Sequence, residues 1–167
     1  DFFLQELSEK QSPSSVMKHL LPGSHKGQSK LVYLCDNSVE IDGIRIYGTP
    51  WIADLARWAF YKTEDELAEV YARIPKKCDI LLTHMPPLAC DAGLVMQRGH
   101  YNTLANYGSV VLAEAIATLD IKYALCGHVH SGNHRPEPFG SVRNIVNVSL
   151  KDEDYKVSYR PFIFEIQ

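Results

Sequence analysis

Two apolar runs, each leading into histidine and joined through an alanine-rich stretch, constrain this chain more than any other feature. Ile80, Leu81 and Leu82 form one run, and His84 follows where it ends; Tyr123, Ala124, Leu125 and Cys126 form the other, followed by Gly127, His128 and His130. Unbroken runs of this length fit strands buried on both faces of a sheet. Between them, residues 109–119 read as an apolar, alanine-rich helix that Asp120 joins to the second strand. Strand, helix, strand is the succession that makes two strands parallel. All three imidazoles then emerge at strand carboxyl ends, along the edge where open α/β sheets place their sites.

Imidazole is the commonest transition-metal ligand at neutral pH, and Gly127 lets the backbone turn so that His128 and His130 aim at neighbouring points. One ion or a pair of ions could sit there. A lone histidine is more often a surface or satisfied core residue, and it is the grouping that makes His84, His128 and His130 candidate metal ligands.

The other elements frame these strands. Residues 31–35 read as a strand and Asp36-Asn37 as a turn, while Asp42-Gly43 between apolar alternations at 39–41 and 44–47 signals a hairpin. Trp51, Trp58, Phe60 and Tyr61 suggest core or lid packing, with a base-stacking platform as the alternative. Thr63 and Glu66 have capping-box spacing, and Leu67, Val70, Tyr71 and Ile74 recur at helical intervals, predicting a helix over 64–73 that covers the strand at 79–83. Pro86 and Pro87 stop that strand. Residues 88–106 look irregular, forming one wall of a site, where Arg98, His100, Tyr101 and Asn102 are either phosphate contacts or ordinary loop residues. Residues 143–149 and 155–166 alternate as two more strands about a charged turn at 151–154, bringing Asn147 and Ser149 near the site. Near the amino end, residues 2–10 and 16–21 predict short helical stretches, with His19 and His25 on a solvated surface.

A length of 167 residues permits one domain with a sizeable core, and a net charge of −3 without charge blocks argues against an extended nucleic-acid surface. No stretch approaches a membrane span. Cys35, Cys78, Cys90 and Cys126 lack Cys-x-x-Cys spacing and read as reduced core residues of a cytoplasmic protein. A zinc site of Cys78, His84 and Cys90 is an alternative that matches no structural-zinc spacing.

Leu82, Thr83, His84, Pro86 and Pro87 spell Leu-Thr-His-x-Pro-Pro, and Gly127, His128 and His130 spell Gly-His-x-His. Together these resemble the last two motifs of the calcineurin-like metallophosphoesterases. Residues 39–51, ending Tyr-Gly-Thr-Pro-Trp, look like the branch called metallophosphoesterase-domain-containing proteins. Gly132-Asn133-His134 spells part of a further family motif, but in the wrong order along the chain.

The resemblance implies an α/β fold (α+β by some schemes), part of a four-layer α/β/β/α sandwich with mixed sheets. It implies that residues 1–167 are a single domain, the carboxyl-terminal portion of a phosphoesterase domain whose earlier motifs are absent, with Asp1 matching the acid that closes Gly-Asn-His-Asp. The implied activity is that of a metal-dependent phosphoesterase, in particular a phosphodiesterase, in which a hydroxide bridging two divalent ions attacks phosphorus. Manganese is the foremost candidate, with iron, zinc or nickel as alternatives. His84 and His128 would ligate one ion and His130 the other, while Asp1 would orient a histidine that this chain lacks. Without the missing carboxylates the ions are incompletely held, so this chain alone is expected to be catalytically silent. The competing class is a non-catalytic binding or interaction module on the same scaffold. Expected partners are a small phosphate ester or nucleotide and, through an exposed sheet edge, a second copy of the chain.

Overall fold

Asp42 and Gly43 make the first tight turn, and both carry positive φ, 51° and 79°, the combination whose twist matches that of a hairpin. In the computed structural model, which describes residues 32–53, 55–97 and 102–166, they join β1 (Asn37–Ile41) to β2 (Ile44–Thr49) with Ile41 opposite Ile44. Helix α1 (Glu64–Tyr71) starts on the expected capping box: Glu66 N–H donates to Thr63 Oγ1, and Thr63 N–H donates back to the Glu66 carboxylate at 2.9 Å. It ends two residues sooner than its periodicity predicts. The chain then enters β3 (Lys77–Thr83), parallel to β2. Helix α2 (Val110–Ile116), capped by Ser109, leads into β6 (Asp120–Cys126), parallel to β3 as the apolar runs require.

Between β3 and α2 lie a short 3-10 turn (Asp91–Gly93) and the antiparallel ribbon β4 (Leu94–Gln97) and β5 (Thr103–Asn106). The edge strand β7 (Glu137–Phe139) and β8 (Val142–Asn147) complete one mixed sheet in the order β1-β2-β3-β6-β8-β7. The fold is thus mixed α/β, compatible with an α+β description. The described residues supply one large sheet and a helical layer.

The core follows from register. Tyr47, Leu81, Ala124 and Ile145 stand side by side on β2, β3, β6 and β8, each 4% exposed or less. Leu67, Val70 and Tyr71 of α1 and Leu112 and Ile116 of α2 complete the same apolar cluster. Burying each such side chain is worth about 2 kcal/mol before the entropy of ordering it. The opposite face carries Tyr123, against which the Phe164 ring packs at 4.2 Å between centroids.

Three expectations are corrected. Residues 32–35 form no strand: a Cβ on Gly48 would stand 2.4 Å from the Leu34 Cβ, so Leu34 packs closely against β2 where that strand has no side chain. Residues 88–106, expected to be irregular, contain the β4–β5 ribbon. Residues 155–166 form no strand either; Phe162 and Phe164 alternate because they lean on the sheet face at Tyr123. Among the described residues, no helix is long and apolar enough to cross a membrane.

Candidate active site

Strands β2, β3, β6 and β8 are mutually parallel neighbours, so Thr49, Thr83, Cys126 and Asn147 end at one edge of the sheet. The chain just beyond those ends carries Pro50, His84, the loop 127–130 and Ser149, and all of these elements line one cleft of about 720 Å³. His84, His128, His130 and Ser149 therefore all line one cleft.

Gly127 N–H donates to the His84 carbonyl at 2.9 Å, tying the two strand ends together. Above that bond His128 Nδ1 lies 3.2 Å from His84 Nε2, with ring centroids 5.0 Å apart and planes at 62°. His128 holds φ at 67°, a left-handed backbone that a non-glycine residue adopts at a cost of roughly 1 kcal/mol. Two nitrogens, each about 2.0–2.1 Å from one ion, stand roughly 2.8–3.4 Å apart at octahedral or tetrahedral angles. The His84–His128 spacing fits such a pair. Among the described residues, however, no group of three His, Cys, Asp or Glu side chains is arranged to hold a metal ion.

His130 is fixed from the opposite side. Its Nδ1 donates to the Asp152 carbonyl at 2.9 Å, and since a carbonyl only accepts, a proton resides on Nδ1, so that in the neutral ring Nε2 carries the lone pair. The Tyr155 ring stands edge-on to the imidazole at 5.2 Å and 87°. The Glu153 carboxylate accepts from Ser131 N–H at 3.0 Å, and Tyr159 stacks on His134, whose Nε2 donates to the His130 carbonyl. Asp152 organises this clasp: its carboxylate accepts from Ser158 Oγ, Lys156 N–H and Asp154 N–H, which hold it below the usual carboxylate range, Ser158 first.

Asn147, 1% exposed, braces the loop from below. Its amide donates to the Ala92 and Val129 carbonyls, and its oxygen accepts from Ser149 N–H. Ile52, Leu55, Trp58 and Phe60 line the same cleft.

Asn102 is exposed and lies outside the residues lining the cleft. Asp1, His19, His25, Arg98, His100 and Tyr101 fall outside the described residues. The alternative zinc set is corrected: Cys78 and Cys90 are buried in the core, their thiols pushed up to about 11 chiefly by burial, whereas His84 is on the rim. Cys126 is likewise buried, with its thiol raised by burial. Sequence reasoning missed the clasp, having read 151–154 only as a charged turn. An aspartate at 152, a residue that readily accepts from the backbone N–H two positions on, was the available signal for the turn.

No family model matches the sequence. The chain is 29% identical over 186 aligned residues to UPF0046 protein T07D4.2 of Caenorhabditis elegans, which covers 99% of this chain and 43% of that protein. It is 30% identical over 168 residues to UPF0046 protein C25E10.12 of the same organism, covering 97% of this chain and 56% of that protein. The chain thus spans about half the length of these relatives. Over 58 residues, 34% of this chain and 18% of the other, it is 43% identical to metallophosphoesterase domain-containing protein 1 of Homo sapiens. A solved crystal structure aligns with 69% of this chain and 44% of its own at 16% identity and a TM-score of 0.48.

Proposed function

We propose that this chain supplies the imidazole side of a metal-dependent phosphoesterase site, and that the whole protein hydrolyses phosphate esters, diesters foremost. The observation that carries this reading is the His84–His128 nitrogen pair, 3.2 Å apart at the carboxyl edge of a parallel array. The 58-residue similarity to a metallophosphoesterase domain protein supports it. His84 and His128 would hold one divalent ion, manganese foremost and iron, zinc or nickel as alternatives, with His130 offering Nε2 to a second. When bound, such ions neutralise charge on phosphoryl oxygens. Carboxylates would be needed to balance two dications, and Asp1 is our candidate for an orienting acid. Lys151 lines the same cleft, where its ammonium attracts the phosphate anion. The outer strand β1, largely exposed, is where we propose that two copies pair, in a cytoplasmic setting.

The test is hydrolysis of bis(4-nitrophenyl) phosphate by the full-length protein with Mn²⁺. Turnover lost on chelation, and reduced at least about 100-fold by His84→Ala or His128→Ala, is expected. A full-length, metal-loaded protein with no turnover, or turnover indifferent to chelation and to both substitutions, overturns the reading. Residues 1–167 alone are expected to be silent, and robust turnover by them overturns that expectation. The competing reading is a non-catalytic binding module, which predicts full-length protein purified without stoichiometric metal.

A further inference from the structure

We propose that residues 55–60 form an apolar wall selecting phosphate esters with an aromatic or hydrocarbon body over nucleotides and sugar phosphates; this rests on the phosphoesterase reading above. The wall is built at a conformational cost. Leu55 and Phe60 hold φ at 59° and 66°, and bulky residues seldom occupy that left-handed region unless their surroundings impose it. The loop is closed at its base, where Ile52 N–H donates to the Phe60 carbonyl at 2.9 Å and Lys62 N–H to the Ile52 carbonyl at 3.0 Å. Phe60 then leans edge-on against Trp51 at 6.0 Å, and Trp51 Nε1 donates to both oxygens of Asp36. The wall is therefore anchored before any ligand arrives, which lowers the cost of binding.

This strained loop presents apolar surface to the cleft instead of burying it. Leu55 and Trp58 are 46% and 40% exposed while lining it. The imidazoles, Lys151 and Glu153 line the same cleft, making it amphipathic: polar, ligating groups and one ammonium for a phosphate, with one carboxylate beside them, and apolar side chains for what the phosphate carries. Its volume, about 720 Å³, suits a ligand larger than phosphate alone. A nucleobase or sugar is recognised by hydrogen bonds to its edges or hydroxyls. Ile52, Leu55 and Phe60 offer no side-chain donor or acceptor, and Trp58 offers one N–H. Burying base edges or hydroxyls there leaves them unpaired, which disfavours both competitors.

Calorimetry on the full-length, Mn²⁺-loaded protein tests this with phenylphosphonate, methylphosphonate and adenosine 5′-monophosphate. Phenylphosphonate should bind about tenfold tighter than methylphosphonate and tighter than the nucleotide. Trp58→Ala should collapse the phenyl-to-methyl ratio towards one. Leu55→Gly, a truncation that suits the left-handed backbone, should reduce it in the same direction. Equal affinity for the two phosphonates, an equal loss of both in Trp58→Ala, or preference for the nucleotide overturns the proposal. If neither phosphonate binds but 1-naphthol still does, in a manner abolished by Trp58→Ala, the wall stands and the phosphoesterase reading beneath it falls.

Discussion

His128 Nδ1 stands 3.2 Å from His84 Nε2 across 44 residues of chain because β3 and β6 run parallel with Leu82 opposite Leu125, so their ends arrive together. One of the two nitrogens must carry a proton while they hydrogen-bond to each other; neither can when both face one cation. The pair then acts as a unit. In the full-length protein, His84→Ala and His128→Ala should each weaken Mn²⁺ binding on the order of 100-fold, and the double variant should lose less than the product of the two. Calorimetric titration of the three variants checks this; losses that multiply would mean that the rings bind separately.

His128 carries its imidazole on a backbone with φ at 67°. Alanine retains the clash between Cβ and the carbonyl oxygen that disfavours this region, whereas glycine removes it. Both substitutions delete the ligand, so any difference between them reports the backbone. His128→Gly should be more stable than His128→Ala by about 1 kcal/mol in urea unfolding. Equal stability would show that the loop relaxes once the ring is gone.

The parallel strands, the hairpin and the capping box were legible because each rests on a local rule: apolar runs, Asp-Gly at a turn, and Thr-x-x-Glu before an amphipathic stretch. The placement of His84, His128 and His130 along one cleft was legible for the same reason, since each follows an apolar run. Phe162 and Phe164 misled because alternation reports one-sided contact, and an extended segment resting on a sheet face alternates as a strand does. The edge strand β7 is three residues long with Pro138 at its centre, a pattern that periodicity does not register. The hold on His130 was invisible because Asp152 acts through its backbone carbonyl, which any residue possesses.

Asn147 connects three segments that share no covalent neighbourhood: the Asp91–Gly93 turn, the histidine loop and Ser149. At 1% exposure, water cannot replace it. Asn147→Ala strands the Ala92 and Val129 carbonyls without this donor and should cost about 2–3 kcal/mol. Gly132 packs beside the same junction, where a Cβ would stand 2.0 Å from the Ala92 oxygen, closer than any real contact. Gly132→Ala should therefore destabilise by a similar amount. Chemical denaturation of both variants checks this, and a loss below about 0.5 kcal/mol in either would show that the junction is plastic.

Asp79 ties the sheet across its middle strands, accepting Arg45 N–H from β2 at 2.9 Å and Lys122 Nζ from β6 at 2.9 Å. The Arg45 N–H first, then Lys122, hold its carboxyl below the usual carboxylate range. A folded value depressed below the unfolded one adds stability above the unfolded pKa, about 3.9, and loses it as pH falls through the folded value. Asp79→Asn should lower the urea midpoint near neutrality and flatten its fall below about pH 4. An acid limb unchanged in the variant would assign that limb to other carboxylates.

Ser158 Oγ, Lys156 N–H and Asp154 N–H all converge on the Asp152 carboxylate, and the same residue's carbonyl receives His130 Nδ1–H. The side chain therefore shapes the turn, and the turn fixes which imidazole nitrogen keeps a lone pair for the cleft. Hydrogen-bonded partners of this kind typically alter metal affinity 10–100-fold when removed. Asp152→Ala should let His130 exchange between tautomers, visible as converging ring ¹⁵N shifts in the metal-free protein, and should weaken Mn²⁺ binding about tenfold. Asp152→Asn, which keeps an acceptor oxygen, should recover part of both. Ser158→Ala removes one of three donors and should produce a smaller shift in the same direction. If the native ring were protonated on Nε2, or if its shifts were unmoved in Asp152→Ala, the turn would be packing against His130 without orienting it.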